Sequence, residues 1–194
     1  IAILRSRSRL LNNINVYNGL GSFIDSTHIN IQGEKKIIIE AKNTIIATGS
    51  KPSSLPFISL DKERIITSTE ALELKEIPKH LIIIGGGVIG LELGQVYKRL
   101  GAEVSVIEYA DRITSLMDSS LSRELMKVLK KQKINFYLSH KVNNVQRKGK
   151  NIKVTATDKN DNEVYFEGDY CLVSVGRKPY TNGLNAESIG IDVL

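Results

Sequence analysis

The middle of the chain contains the glycine motif G-x-G-x-x-G, at Gly85-Gly86-Gly87-Val88-Ile89-Gly90. The motif follows an apolar strand pattern and begins an amphipathic helix pattern, which is the context that its mechanism requires. Gly85 permits a tight turn, Gly87 lets a ligand approach the backbone, and Gly90 lets the helix pack close to the strand. The helix N-terminus offers free N–H groups and a positive dipole end. These residues therefore predict a binding turn for the pyrophosphate of a dinucleotide.

An acidic residue stands where this unit would end its second strand. Glu108 stands 18 residues after Gly90, close to the spacing of the dinucleotide fingerprint, and its carboxylate could accept hydrogen bonds from ribose hydroxyls. Tyr109 and Ala110 come next, without the arginine that a ribose 2′-phosphate usually requires. The pattern favours NAD over NADP. The alternative interpretation is a structural glycine turn with an ordinary carboxylate at a strand end.

The elements around these residues read as strand, turn, helix and strand from Leu81 onward, which is a βαβ unit. One helix is predicted over Val88–Leu100, ended by Gly101, with an apolar stripe at Ile89, Leu93, Val96, Tyr97 and Leu100. A second is predicted over Ser119–Gln132, with a stripe at Leu121, Leu125, Val128 and Leu129, leading to a strand at Ile134–Leu138. The fold class predicted is α/β, with a Rossmann-like domain on a parallel sheet.

Runs rich in β-branched residues flank this unit on both sides. After it we predict a β-meander and a final apolar strand, at Lys141–Gln146, Ile152–Thr157, Glu163–Glu167 and Cys171–Val175. Before it we predict a short helix at Leu4–Leu11, a linker at Ser50–Pro56 and a small antiparallel meander, at Ile14–Tyr17, His28–Ile31, Lys36–Glu40 and Thr44–Ala47.

Composition excludes several other classes of function. The formal charge of +6 raises the question of nucleic acid, but Lys130, Lys131 and Lys133 end a helix pattern and Arg147 begins a hairpin turn. We expect these cations on a solvated surface, with no nucleic-acid partner. No apolar run approaches the roughly 20 residues of a membrane span.

The residue types of metal and thiol chemistry are sparse. The chain has one cysteine, Cys171, which lies in an apolar strand pattern and is predicted to be a small core residue. His28, His80 and His140 have no metal-ligand spacing and are predicted on the surface or in turns. We expect no metal site and no catalytic residue in this chain.

Three segments together resemble the pyridine nucleotide-disulfide oxidoreductases. They are TIIATGSKPSSLP, GGGVIGLELGQVYKRLGAEVSVIEYADRI and CLVSVGRKPYTNGL, and the match extends over essentially the whole chain. The Gly-Arg-x-Pro-Tyr-Thr form at Gly176 to Thr181 is similar to the dihydrolipoamide dehydrogenase branch of that family.

The resemblance implies an NAD domain inserted into a split FAD domain. Residues 1–52 would be part of the FAD domain, 53–175 the NAD domain and 176–194 a return segment toward the FAD domain. Members of the family also have an FAD-binding glycine motif, a redox-active cysteine pair and a dimerisation domain with a catalytic histidine and glutamate. None of these is found in the sequence given.

The resemblance also assigns roles to single residues. NAD contacts are expected at the glycine motif, Leu91, Glu92, Glu108, Val142 and Gly176. Glu92 would reach the nicotinamide carboxamide, although an acid favoured by the helix dipole is the alternative. Val142 would line the adenine pocket, or be a strand core position. FAD contacts in the complete protein are expected at Gly21, Thr48, Gly49 and Ser50.

The activity implied is oxidation of dihydrolipoamide by a redox disulfide and FAD, with NAD as electron acceptor. The partners implied are the lipoyl domains of 2-oxo acid dehydrogenase or glycine-cleavage complexes, and a second copy of the complete protein in a homodimer. Localisation would be the bacterial cytoplasm or the mitochondrial matrix. The alternatives are another flavoprotein disulfide reductase, an NADH peroxidase or oxidase, or an NAD-binding module without catalysis.

Overall fold

The computed structural model describes residues 14–193, so the helix predicted at Leu4–Leu11 lies outside the described residues. The chain divides into two compact units. The first comprises the described residues of Ile1–Ser50 and Pro179–Leu194, and the second is Lys51–Lys178. Within the described range, no helix is long and apolar enough to cross a membrane.

The first unit contains an antiparallel sheet of three strands, β1 (Leu20–Phe23), β2 (His28–Gln32) and β3 (Lys36–Glu40). The predicted meander is confirmed for the second and third of these. The predicted strands at Ile14–Tyr17 and Thr44–Ala47 are wrong, because neither segment is a strand in the described part of the chain. Branched residues favour extended backbone, but a strand also needs a neighbour for its N–H and C=O groups.

The remaining elements follow in chain order: β4 (Ser50–Pro52), β5 (Ile65–Ile66), α1 (Ser68–Ala71), β6 (His80–Ile84), α2 (Val88–Arg99), β7 (Glu103–Ile107), α3 (Ser119–Lys131), β8 (Asn135–Tyr137), β9 (Lys141–Lys148), β10 (Asn151–Thr157), β11 (Glu163–Gly168), β12 (Tyr170–Val173), β13 (Arg177–Pro179) and a 3₁₀ helix (Ala186–Ile189). Part of the predicted linker is therefore a strand, since β4 pairs with β13. The structure adds α1, whose Thr67 and Glu70 form a capping box.

The second unit is built on a parallel sheet in the order β5-β12-β6-β7-β8. The antiparallel sheet β11-β10-β9 is the predicted second meander. Its hairpin turn contains Gly149 in the left-handed region, at φ 63°. The α/β fold class and the parallel sheet are confirmed.

Each face of the parallel sheet has its own core. One face buries Leu81, Ile83 and Val106 under the helices, together with Tyr97 and Leu129. The other buries the alternating residues Ile82, Ile84, Ile107 and Cys171 against the meander, among residues that include Ile152 and Val154. Because successive strand residues point to opposite faces, continuous apolar strands indicate a sheet covered on both sides.

The predicted apolar stripes of the two long helices are partly wrong. In α2 the buried residues are Gly90, Leu91, Leu93, Gly94 and Tyr97, whereas Val96 and Leu100 are about half exposed. In α3 Leu129 is buried, but Leu121 and Val128 are exposed. The glycines explain α2, because an added Cβ at Gly94 would lie 2.9 Å from Cδ1 of Ile83, so the glycine face lies closest to the sheet.

Candidate functional site

A cavity of the second unit lies beyond the carboxyl ends of β6, β7 and β12. Its volume is about 780 Å³, which is within the usual range for a small-molecule site. The central strand β6 has β12 on one side and β7 on the other, so chain connections leave it in opposite directions. In open α/β sheets a ligand crevice forms at such a point.

The glycine motif forms the floor of this cavity. Gly85 has a positive φ of 106°, and an added Cβ would lie 2.6 Å from the Ser174 carbonyl oxygen, so both conformation and space require glycine. At Gly90 an added Cβ would lie 2.4 Å from Oγ of Ser174. At Gly87, the N-cap of α2, it would meet no heavy atom within 4 Å. Protein packing therefore requires Gly85 and Gly90, and leaves space at Gly87.

Glu108 follows β7 and is bonded directly to the glycine turn. One carboxylate oxygen accepts a hydrogen bond from the Gly86 N–H at 2.5 Å, and the other accepts from the Ala110 N–H at 2.7 Å. The side chain is partly buried and lines the cavity. Each carboxylate oxygen has a second lone pair, so the group retains acceptor capacity toward a ligand.

The other residues expected to contact NAD fall into two groups. Val88, Ile89, Val142 and Gly176 line the cavity with the glycine turn. Leu91 and Glu92 are not among its lining residues: Leu91 is buried in the core beneath α2, and Glu92 is on an exposed part of that helix. Val142 also belongs to the core shared with the meander, as the alternative interpretation of this residue predicts.

The residues expected to contact FAD belong to the first unit. Gly21 lies in β1, and Ser50 begins β4. The hydroxyl of Thr48 donates to the Tyr180 carbonyl at 2.5 Å, and the Tyr180 N–H donates to the Gly49 carbonyl at 2.9 Å. Gly49 has a φ of 78°, which favours glycine. The segment around Gly49 is thus bonded to the segment around Tyr180.

Sequence reasoning missed part of the cavity wall. Tyr109, Leu116 and Met117, all in the loop after β7, line the cavity with exposed apolar surface, and Leu116 is fully exposed. The Thr114 N–H in that loop donates to the Gly86 carbonyl at 2.9 Å. The presence of three large apolar residues in a short loop after Glu108 could have predicted this part of the wall. His140, which is predicted on the surface or in a turn, is partly buried and also lines the cavity.

Thiol and metal chemistry find no support among residues 14–193. Cys171 is fully buried, which raises the pKa of its thiol, and it is the core residue that the sequence predicts. No group of three or more histidine, cysteine, aspartate or glutamate side chains in this range could hold a metal ion. The cavity contains the glycine turn, the Glu108 carboxylate that is hydrogen-bonded to that turn, and apolar walls.

A scan of protein families matches residues 5–193 to the pyridine nucleotide-disulphide oxidoreductases. Among individual proteins, the mitochondrial dihydrolipoyl dehydrogenase 2 of Arabidopsis thaliana is 42% identical over 185 residues, with 93% of this chain and 36% of that protein covered. The mitochondrial dihydrolipoyl dehydrogenase of Dictyostelium discoideum is 50% identical over 157 residues, covering 79% of this chain and 32% of that protein. The chain therefore spans about a third of the length of these relatives.

Solved structures agree with the sequence comparisons. The flavoprotein disulfide reductase RclA from Escherichia coli, described as HOCl-induced and solved as a Cu(II) complex, superposes with a TM-score of 0.81 at 26% identity. That match covers 96% of this chain and 42% of RclA. LpdA from Mycobacterium tuberculosis superposes with a TM-score of 0.76 at 30% identity, covering 90% of this chain and 39% of LpdA. With its parallel sheet, glycine turn and family match, the chain belongs to the pyridine nucleotide-disulphide oxidoreductase family.

Proposed function

We propose that the second unit binds NAD in the cavity beyond the carboxyl ends of β6, β7 and β12. The observation that carries this proposal is the hydrogen bond from the Gly86 N–H to the Glu108 carboxylate, with both residues facing the cavity. The turn would hold the pyrophosphate at the N-terminus of α2, and Glu108 would hold the adenosine ribose. Val142 would line the adenine site, and Gly176 would admit the nicotinamide end.

The same carboxylate supports NAD over NADP. Ribose hydroxyls can donate to Glu108, and such charge-assisted bonds contribute about 1.5–3 kcal/mol each. A 2′-phosphate would instead place negative charge beside a carboxylate. Since about 1.4 kcal/mol corresponds to a tenfold change in affinity, we expect at least about a tenfold preference for NADH over NADPH after solvent screening.

Calorimetric titration of both cofactors into wild type and Glu108→Gln tests this assignment. Glutamine keeps the size and one acceptor oxygen but removes the charge, so NADH should bind more weakly and the preference should shrink. Glu103→Gln is the matched control, because Glu103 is an exposed acid at the opposite end of β7. Equal binding of NADH and NADPH by wild type would reject the role of Glu108, and so would an unchanged ratio in Glu108→Gln.

At the level of the complete protein, we propose that this chain is the NAD-binding portion of a flavoprotein that oxidises dihydrolipoamide. Support comes from relatives named dihydrolipoyl dehydrogenase at 42% to 50% identity. In that protein a cysteine pair and FAD would carry electrons to NAD, while residues of this chain supply position and electrostatics. Residues 1–52 and 176–194 would be parts of the FAD domain. Within them, the FAD site would include Gly21, Thr48, Gly49 and Ser50.

The partners proposed for the complete protein are lipoyl domains of 2-oxo acid dehydrogenase or glycine-cleavage complexes, and a second copy in a homodimer. Its compartment would be the mitochondrial matrix or the bacterial cytoplasm. Relatives include proteins named as mitochondrial, and one from Pseudomonas putida. Co-purification of the complete protein with a lipoylated domain would test the partner.

We propose that the 194 residues alone do not turn over dihydrolipoamide. Thiol–disulfide exchange of this kind needs two cysteines, and the sequence has one, Cys171, which is fully buried. The purified chain should be colourless. Stoichiometric bound FAD, or turnover of dihydrolipoamide by this chain, would contradict the proposal.

The likeness to RclA favours one alternative, a flavoprotein disulfide reductase with another substrate. An assay of the complete protein distinguishes the two, because only a dihydrolipoamide dehydrogenase reduces NAD with dihydrolipoamide as donor.

A further inference from the structure

His140 lines the cavity, and one of its two ring nitrogens has no hydrogen-bond partner among the described residues. Its Nδ1 lies 2.6 Å from the carbonyl oxygen of Leu138. A carbonyl can only accept, so the proton of a neutral His140 ring is held on Nδ1, and Nε2 becomes an acceptor. Among the described residues, Nε2 has no hydrogen-bond partner. Tyr137 and Phe166 contact the same ring edge-to-face, with centroids 5.9 and 6.2 Å away, and restrict its orientation.

The position of His140 relates it to the proposed adenosine site. Its backbone N–H donates to the carbonyl of Glu108 at 3.0 Å, so it lies beside the residue assigned to the ribose. Val142, two residues along, lines the same cavity. The base of a nucleotide is attached directly to its ribose, so a base at this end of the cavity would lie among these residues.

Two other polar side chains of the cavity wall are already bonded within the protein. The hydroxyl of Thr114 is bonded to Ser122 at 2.9 Å. The hydroxyl of Ser174 lies 3.2 Å from the carbonyls of Ile84 and Gly85. Ser174 commits its hydroxyl proton to these carbonyls, whereas Nε2 of His140 has no hydrogen-bond partner among the described residues.

We propose that Nε2 of His140 accepts a hydrogen bond from the exocyclic amine of adenine and makes this residue a determinant of base specificity. The inference rests on the proposed function, since it requires the adenosine of NAD in this cavity. Adenine presents an N–H donor at that position, whereas hypoxanthine presents a carbonyl oxygen. An acceptor on the protein would bond the first base and repel the second.

Calorimetric titration with NADH and with reduced nicotinamide hypoxanthine dinucleotide tests the proposal. The measurements are made at pH 8, where an unperturbed imidazole is neutral. Wild type should bind NADH about tenfold more tightly, because the analogue loses one hydrogen bond and sets two acceptors against each other. In His140→Phe, which keeps the aromatic packing, the ratio should fall to within about twofold of unity.

Two further variants make the result specific. His140→Gln restores an acceptor oxygen and should recover part of the preference. His28→Phe removes a histidine of the first unit and should leave the ratio as in wild type. Equal binding of the two dinucleotides by wild type, or a preference that persists in His140→Phe, would overturn the proposal while NADH binding continued. Absence of NADH binding by wild type would instead overturn the proposed function.

Discussion

The two compact units place similar aliphatic residues in opposite environments. In the second unit Leu81, Ile82 and Ile83 of β6 are all fully buried, because helices cover one face of the sheet and the meander covers the other. In the first unit Leu20 of β1 is 77% exposed and Ile38 of β3 is 55% exposed. A strand-forming sequence thus becomes a stable core only where another layer removes its apolar side chains from water.

The largest expected consequence of this difference is in local stability. We predict that backbone amides of β6, β7 and β12 exchange at least about a thousandfold more slowly than those of β1, β2 and β3, since exchange follows the free energy of local opening. Native-state hydrogen exchange measured by mass spectrometry checks this directly. Similar protection in the two units would mean that the first is stabilised by contacts outside its own sheet, and repeating the measurement at several protein concentrations would reveal self-association.

Two glycines of the second unit differ in their surroundings, since Gly90 is packed against the core and Gly87 faces open space. Gly90→Ala should lower the free energy of unfolding by about 1–3 kcal/mol, because the new Cβ would lie 2.7 Å from the Gly85 carbonyl oxygen and 3.0 Å from Ile83. Gly87→Ser should leave stability unchanged or slightly higher, since serine is a favourable N-cap and the space is open. It should nevertheless weaken NADH binding.

Urea denaturation followed by circular dichroism measures the first effect, and calorimetry the second. Loss of stability in Gly87→Ser would show that the turn itself needs glycine there. Unchanged NADH affinity in Gly87→Ser would argue against close approach of the pyrophosphate to this backbone.

The smallest expected effect concerns two aspartates, one in each unit. Burial raises the pKa of Asp61, but the N–H groups of Glu63, Arg64 and Ile65 and the Arg147 guanidinium outweigh it and lower this pKa to about 2. A pKa lowered by folding contributes stability above the unfolded value of 3.8, which is lost as the pH falls from about 4 toward 2.

Asp61→Asn should therefore destabilise the second unit by about 1–2 kcal/mol at pH 7 and by much less near pH 2. The control is Asp25→Asn in the first unit. Hydrogen bonds from Thr27 and His28 hold the pKa of Asp25 well below its usual range. These bonds join residues of a single turn in the first unit, so their loss should not change the stability of the second unit. The free energy of unfolding of β6 and β12, measured between pH 2 and 7, should change in Asp61→Asn and stay the same in Asp25→Asn. An equal response to both would remove the distinction between the units.

Local rules were sufficient for much of the second unit. The glycine motif, the helix from Val88 and the acid at Glu108 were predictable because each depends on spacing and on the conformational freedom of glycine. The two helix stripes were predicted less well. A stripe of large apolar residues does not include Gly90 and Gly94, because glycine has no apolar side chain. These two residues nevertheless lie closest to the sheet and decide which face of α2 is buried.

The sequence by itself determined the parallel sheet, the glycine turn and the family, because these follow from periodicity and from residues required at fixed spacing. Tertiary structure alone decided which segments form strands, so that Thr44–Ala47 is not a strand in the described structure while Ser50–Pro52 pairs with Arg177–Pro179. It also brought His140 next to Glu108. Pairing and proximity between distant segments depend on how the layers pack, and no local pattern of residues encodes that arrangement.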